Sequence, residues 1–285
     1  MKRVIVTGGA GFIGTNLIKS LLKKGHKVTS IDNYSTGQKI NHQEGCNYIT
    51  YDIRNTLSNP LYFDKETKYD VVFHLAAAAR IQPSFEKPQY YIKTNIVGTQ
   101  HVVQFCVDRN IPLIYAGSSS HHSGKITNPY TFSKDIGEEI IKLYSDHFDL
   151  RATIIRFYNV YGPHQLTNGG YTTLIGKWIN NVKNDIPCEI YGDGTQRRDF
   201  THVDDIIDGL IRTMDQKAYD FLFELGRGEN YSINEVAKLF KINPEYKTAK
   251  PGEAMITLCN STSAKDILKW EPKIDLKNYI KNLEL

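Results

Sequence analysis

No two of the four cysteines, Cys46, Cys106, Cys188 and Cys259, stand at metal-ligand spacing, and four thiols in 285 residues are too sparse for a disulfide framework. They read as reduced thiols, so a cytoplasmic protein without a bound metal is expected. Long hydrophobic runs are missing too. The most apolar stretch, Val71 to Ala79, contains His74 and ends at Arg80, too short to cross a bilayer, so no membrane partner is expected. The opening MKRVIVTGGAG runs directly into a strand and a glycine turn, unlike a secretory leader. Neither sign of charge dominates: the formal net charge is +4, with no Lys/Arg block. That pattern argues against a nucleic-acid partner and is compatible with an anionic small substrate.

What is present suffices for a substantial core, with 40% hydrophobic residues. In the first half, short apolar runs alternate with amphipathic segments, the pattern of a parallel sheet covered by helices. Strands are expected at Arg3–Thr7, Lys27–Ile31, Asn47–Tyr51, Asp70–Leu75, Pro112–Ala116 and Ala152–Phe157. Helices are expected over Phe12–Lys24, about Gln89–Asp108 and Tyr130–His147. The order predicts an α/β fold, a Rossmann-like doubly wound parallel sheet over residues 1–165. Beyond Tyr161-Gly162-Pro163 the elements shorten, broken by Gly169-Gly170, Gly192-Asp193-Gly194 and Lys250-Pro251-Gly252. Residues 166–285 are therefore expected to form a smaller α/β domain, with some elements crossing back.

Thr7-Gly8-Gly9-Ala10-Gly11-Phe12-Ile13-Gly14 follows the first strand and opens the first helix. Glycines 8, 11 and 14 permit a tight turn, close approach to a pyrophosphate and close helix–strand packing. The helix N-terminus would receive the anion. Asp32 ends the second strand, where a carboxylate accepts from ribose hydroxyls and repels a 2′-phosphate, favouring NAD over NADP. Tyr130 and Lys134 stand four apart on a predicted helix and share one face. A cation near the phenol favours the phenolate, which lets a tyrosine serve as a base near neutrality. Ser118, Ser119 and Ser120 end the preceding strand and offer a hydroxyl to the same site.

The run VTGGAGFIG followed by IDNYSTG resembles the opening of the extended short-chain dehydrogenase/reductase family, of the NAD-dependent epimerase/dehydratase type. The likeness continues through Tyr51-Asp52-Ile53-Arg54, His74-Leu75-Ala76-Ala77, Asn95 with Gly98-Thr99, and Tyr130-x-x-x-Lys134, and covers nearly the whole chain. It implies NAD contacts from Gly8, Gly11, Phe12, Ile13, Gly14, Asp32, Asn33, Leu75, Ala76, Ala77, Asn95, Tyr130 and Lys134, with Asp52 and Ile53 flanking the adenine. It also implies a nucleotide-sugar substrate, 4-epimerisation, and a homodimer built on the helices around Gln89–Asp108 and Tyr130–His147, where Ile136, Ile140 and Leu143 are available.

Two departures stand out. Only twelve positions separate Ser118 from Tyr130, and His121-His122-Ser123-Gly124 stands where the family has Val-Tyr-Gly. Alignment from the strand makes Ser118 the catalytic hydroxyl; alignment from Gly124 makes it Ser119. His121 and His122 are candidates for substrate contact, although loop histidines are more often solvated. On the substrate side, the resemblance assigns Asn159 of Arg156-x-x-Asn-Val-Tyr-Gly-Pro to the sugar or diphosphate, and Arg198 to nucleotide phosphate. Asp204 and Asp205 are expected to organise the loop and cap the following helix. Lys250 replaces the family's arginine and keeps only a point charge. Thr257 falls where a large aromatic can exclude N-acetyl groups. With Ser119-Ser120-His121 after Ser118, no carboxylate stands where related dehydratases and decarboxylases carry one.

Overall fold

The computed structural model describes residues 1–58, 63 and 66–285. Seven parallel strands form the central sheet in the order 222–225, 152–157, 113–118, 71–74, 3–7, 27–32, 46–50. The chain starts in the middle, runs outward through Lys27–Asp32 and Cys46–Thr50, then returns across Arg3–Thr7 to build the other half. Strand order reverses between Arg3–Thr7 and Val71–His74, and a crevice opens at the carboxyl ends there. Buried β-branched runs such as Val4-Ile5-Val6 and Val71-Val72 suit a sheet covered on both faces.

One face is covered by the helices Phe12–Lys23 and Val203–Gln216, packed together around Leu17, Ile206, Leu210 and Trp270. The other carries Gly98–Asp108 and Pro129–His147 over Val102, Tyr115 and Ile141. The predicted Gln89–Asp108 helix starts at Pro88–Ile92, passes through a π-turn at Lys93–Val97 and resumes at Gly98. The second half returns three elements to this layer: the helices Val203–Gln216 and Thr262–Leu268 and the strand Leu222–Leu225, which pairs with Ala152–Phe157. Its remaining elements gather around Trp178, Ile190, Val236 and Leu276 beside the crevice. Asp205 accepts the backbone N–H groups of Lys273 (2.9 Å) and Ile274 (3.0 Å), tying the C-terminal segment down. The helix cap expected of the Asp204-Asp205 pair comes from His202, whose ring accepts from the Asp204 N–H.

Candidate active site

A cavity of about 1160 Å³ runs from the glycine turn, past Tyr130, to Arg198 and Lys250. At its deep end the turn is packed as tightly as backbone allows. Gly8 has φ 72°, and a Cβ there would come within 2.9 Å of the Ala76 backbone. A Cβ at Gly14 would overlap the Gly8 carbonyl oxygen. The helix Phe12–Lys23 begins at Gly11 with no side-chain cap, so its first N–H groups remain available to an anion. Asp32 accepts from the N–H groups of Ala10 (3.0 Å) and Tyr34 (2.7 Å), which fixes the carboxylate against the turn. Burial pushes its carboxyl upward, and these two N–H groups pull it back. A cradle closed to any Cβ, a bare helix N-terminus and a fixed acceptor fit a dinucleotide.

Pro129 starts the next helix at its first turn, and the Asn128 side chain caps it by accepting from the Thr131 N–H (2.8 Å). Tyr130 and Lys134 both face the cavity from this helix. The Tyr130 hydroxyl donates to Ser118 Oγ at 3.2 Å, and Ser118 also meets the Ser120 hydroxyl at 2.9 Å. Ser119 lines the cavity, but no hydrogen bond joins it to Tyr130. Desolvation raises the Tyr130 phenol, while the Ser118 hydrogen bond and the Arg80 guanidinium lower it. Lys134 was the expected lowering cation; here its Nζ lies over the Tyr115 ring, 4.0 Å from the centroid, and Arg80 takes that part.

Burial pushes the Lys134 ammonium down to about 7, against the pull of Glu138 and Asp135. Since the unfolded-state value is 10.5, the folded chain binds fewer protons between these limits, and this group's contribution to stability climbs with pH there. Below about 7 the full penalty applies. Lys134→Met is therefore expected to raise the melting temperature of the cofactor-free protein more at pH 6.5 than at pH 9.5. A gain that grew with pH would mean that the ammonium is stabilised in the fold.

Several residues of the expected contact set have partners elsewhere in the fold. Asp52 forks onto Arg54 (2.6 Å) and accepts from Asn33 (3.0 Å), with Arg54 holding its carboxyl down at about 2; it does not line the cavity, whereas Ile53 and Asn33 do. Asn95 sits in the π-turn behind the wall, bonded to both backbone groups of Ala78 (2.8 and 2.9 Å) and to Ser133 Oγ (2.9 Å). It therefore positions the Ala76–Ala78 segment and the Tyr130 helix. His121 meets Asp135 at 2.9 Å and His122 pairs with Glu224; neither lines the cavity. Both histidines anchor the short loop, because the buried Asp135 and the partly buried Glu224 lie within reach of it.

On the substrate side, the Asn159 amide donates to the Asp199 carbonyl (2.9 Å) and to Thr257 Oγ1 (3.1 Å), which leaves its amide oxygen for a ligand. The Arg198 guanidinium lies 3.4 Å from Glu253. Lys250 rests on the Tyr191 face, 3.5 Å from the ring centroid. Sequence reasoning passed over Arg80 and Glu253, which also line the cavity. The available signal was an arginine closing the run Ala76–Ala79.

The glycine turn and the Tyr130–Ser118 hydroxyl pair open onto one cavity, an arrangement that fits a nicotinamide-dependent enzyme acting at a carbon bearing a hydroxyl. The chain belongs to the NAD dependent epimerase/dehydratase family, whose model matches residues 4–226. It is 30% identical to a UDP-glucuronate 4-epimerase of Thermodesulfobacterium geofontis, over 97% of this chain and 93% of the relative. It is 32% identical to a UDP-N-acetyl-alpha-D-glucosaminuronate decarboxylase of Bacillus cytotoxicus, over 83% and 78%. The crystal structure of a Thermotoga maritima UDP-glucose 4-epimerase with UDP-glucose superposes with a TM-score of 0.89 at 27% identity, covering 98% of this chain and 96% of that one. The protein is thus an NAD-dependent enzyme of nucleotide-sugar chemistry. Among the described residues, no helix is long and apolar enough to cross a membrane.

Proposed function

We propose that this enzyme inverts C4 of a UDP-hexose or UDP-N-acetylhexosamine through a 4-keto sugar. The observation that carries the reading is the Tyr130–Ser118 hydroxyl pair, 3.2 Å apart, set between the glycine cradle and Arg198 in one cavity. Bound NAD supplies a hydride acceptor that returns what it takes. Tyr130 would remove the 4-OH proton and give it back, while Ser118 hydrogen-bonds the same oxygen. Arg198 and Lys250 would grip the diphosphate, so binding energy sits away from the reacting carbon and the keto-sugar can turn. Thr257 is small enough to leave room for an N-acetyl group.

The decarboxylase relative makes loss of CO₂ the competing reading. The carboxylates lining the cavity are Asp32, Glu189, Asp193 and Glu253; Asp135 and Glu138, close to Ser118 in the fold, are turned to His121 and Arg156 instead. No acidic side chain follows Ser118 in sequence either, and both facts favour epimerisation. The half-exposed Leu143 and Phe148, with Ile92 and Val97 on the facing segment, are the apolar positions a homodimer would bury; Ile136 and Ile140 are only partly exposed.

Incubating the enzyme with catalytic NAD and, separately, UDP-glucose, UDP-N-acetylglucosamine and UDP-glucuronate, followed by proton NMR of the anomeric signals, tests the reading. A galacto-configured product without net cofactor reduction is expected. A UDP-pentose product, or stoichiometric cofactor reduction, would overturn it.

A further inference from the structure

Arg80 occupies a backbone conformation that suits glycine, with φ 85° and ψ 139°. An L-residue held there is strained, and such strain persists only where the surroundings impose it. Here they do: the Tyr91 hydroxyl donates to the carbonyls of Ala79 (2.6 Å) and Arg80 (3.0 Å). The Tyr91 ring in turn meets the Tyr130 ring edge-on, with centroids 6.3 Å apart. The strained residue is thereby coupled to the helix that carries the proposed base.

The side chain is spent sparingly. Arg80 Nε donates to the Tyr171 carbonyl at 3.1 Å, and among the described residues the guanidinium makes no other hydrogen bond and no ion pair within 4 Å. Burial lowers its pKa, partly offset by the neighbouring phenols of Tyr130 and Tyr91 and the Glu253 carboxylate. Half-buried on the cavity wall, the guanidinium presents most of its donors unmatched toward the space a ligand would fill. Its flat fork is shaped for a carboxylate. Arg198 and Lys250 already serve the anionic end of the cavity, whereas Arg80 stands by Tyr130, where the sugar reacts.

We propose that Arg80 is a specificity-determining residue that binds a carboxylate on the sugar ring, so that the preferred substrate is a nucleotide-linked hexuronic acid. This rests on the epimerase reading for the position of the sugar, but its test is a binding measurement that needs no turnover. Calorimetry on the NAD-loaded enzyme would compare UDP, UDP-glucose and UDP-glucuronate. Wild type should bind UDP-glucuronate about 10- to 100-fold more tightly than UDP-glucose, the worth of one charge-assisted pair. Arg80→Gly, which relieves the backbone, should melt no lower than wild type and lose that preference, while UDP affinity holds. Arg80→Met provides a second removal of the charge without the freedom of glycine and should lose it equally. Equal affinity of wild type for the two sugars would overturn the inference and leave the epimerase reading standing. So would an equal weakening of all three ligands by Arg80→Gly, which would place Arg80 on the diphosphate. No binding of any UDP ligand would sink both.

Discussion

Tyr130→Phe is expected to lower turnover about 10³-fold, roughly 4 kcal/mol of barrier, with NAD affinity nearly unchanged. The hydroxyl is the only atom removed, and its hydrogen bond is to Ser118, which keeps Ser120 as a partner. Phenylalanine preserves the edge-on contact with Tyr91, so the fold should tolerate the change. Stopped kinetics with unaltered circular dichroism and cofactor binding would place the loss in proton transfer. A fall below about tenfold would mean that another group takes the sugar proton, and the proposed roles of Tyr130 and Ser118 would have to be exchanged or abandoned.

Glu138→Ala should be the most destabilising single change near the site, by about 3 kcal/mol. The Glu138 carboxylate accepts from Arg156 Nη2 at 2.7 Å and Nε at 3.2 Å, and both side chains are 9% exposed. Arg156 keeps a weaker partner in Glu224 at 3.5 Å, which is why the lower end of the range for a broken buried pair is expected. The pair joins the Tyr130 helix to the strand beside the one that ends at Ser118, so its loss also loosens the two hydroxyls. Denaturant melts would measure it. Replacing both partners, Glu138→Met with Arg156→Met, should cost distinctly less than Glu138→Ala, because no charge is then left buried alone. A single substitution as mild as the double would show that water already reaches the pair.

The Gly8–Gly14 turn and the Tyr130/Lys134 spacing were legible because each is local: glycine geometry and helical period act over a few residues. Two alignments of the sequence offered Ser118 and Ser119, the one from the strand favouring Ser118; in the fold the Tyr130 hydroxyl meets Ser118. Asp52 and Asn95 illustrate the opposite case. Their neighbours Ile53 and Ala76 line the cavity, yet Arg54 draws Asp52 away and Ala78 and Ser133 hold Asn95 behind the wall. Motif membership put them in the right region without saying which way they point.

The alternation of apolar runs and turns thus determined, without coordinates, a doubly wound parallel sheet, and residue spacing placed the glycine turn and Tyr130 with Lys134 on it. The tertiary structure alone decided that strand Leu222–Leu225 completes that sheet, that His122 reaches Glu224 across 102 positions, and that Arg80 meets Tyr171 across 91. Pattern and propensity are read along the chain, where covalent spacing fixes what can meet. Contacts between distant segments depend on how whole elements pack, and the direction of a buried charge is set there by whichever partner best offsets its desolvation.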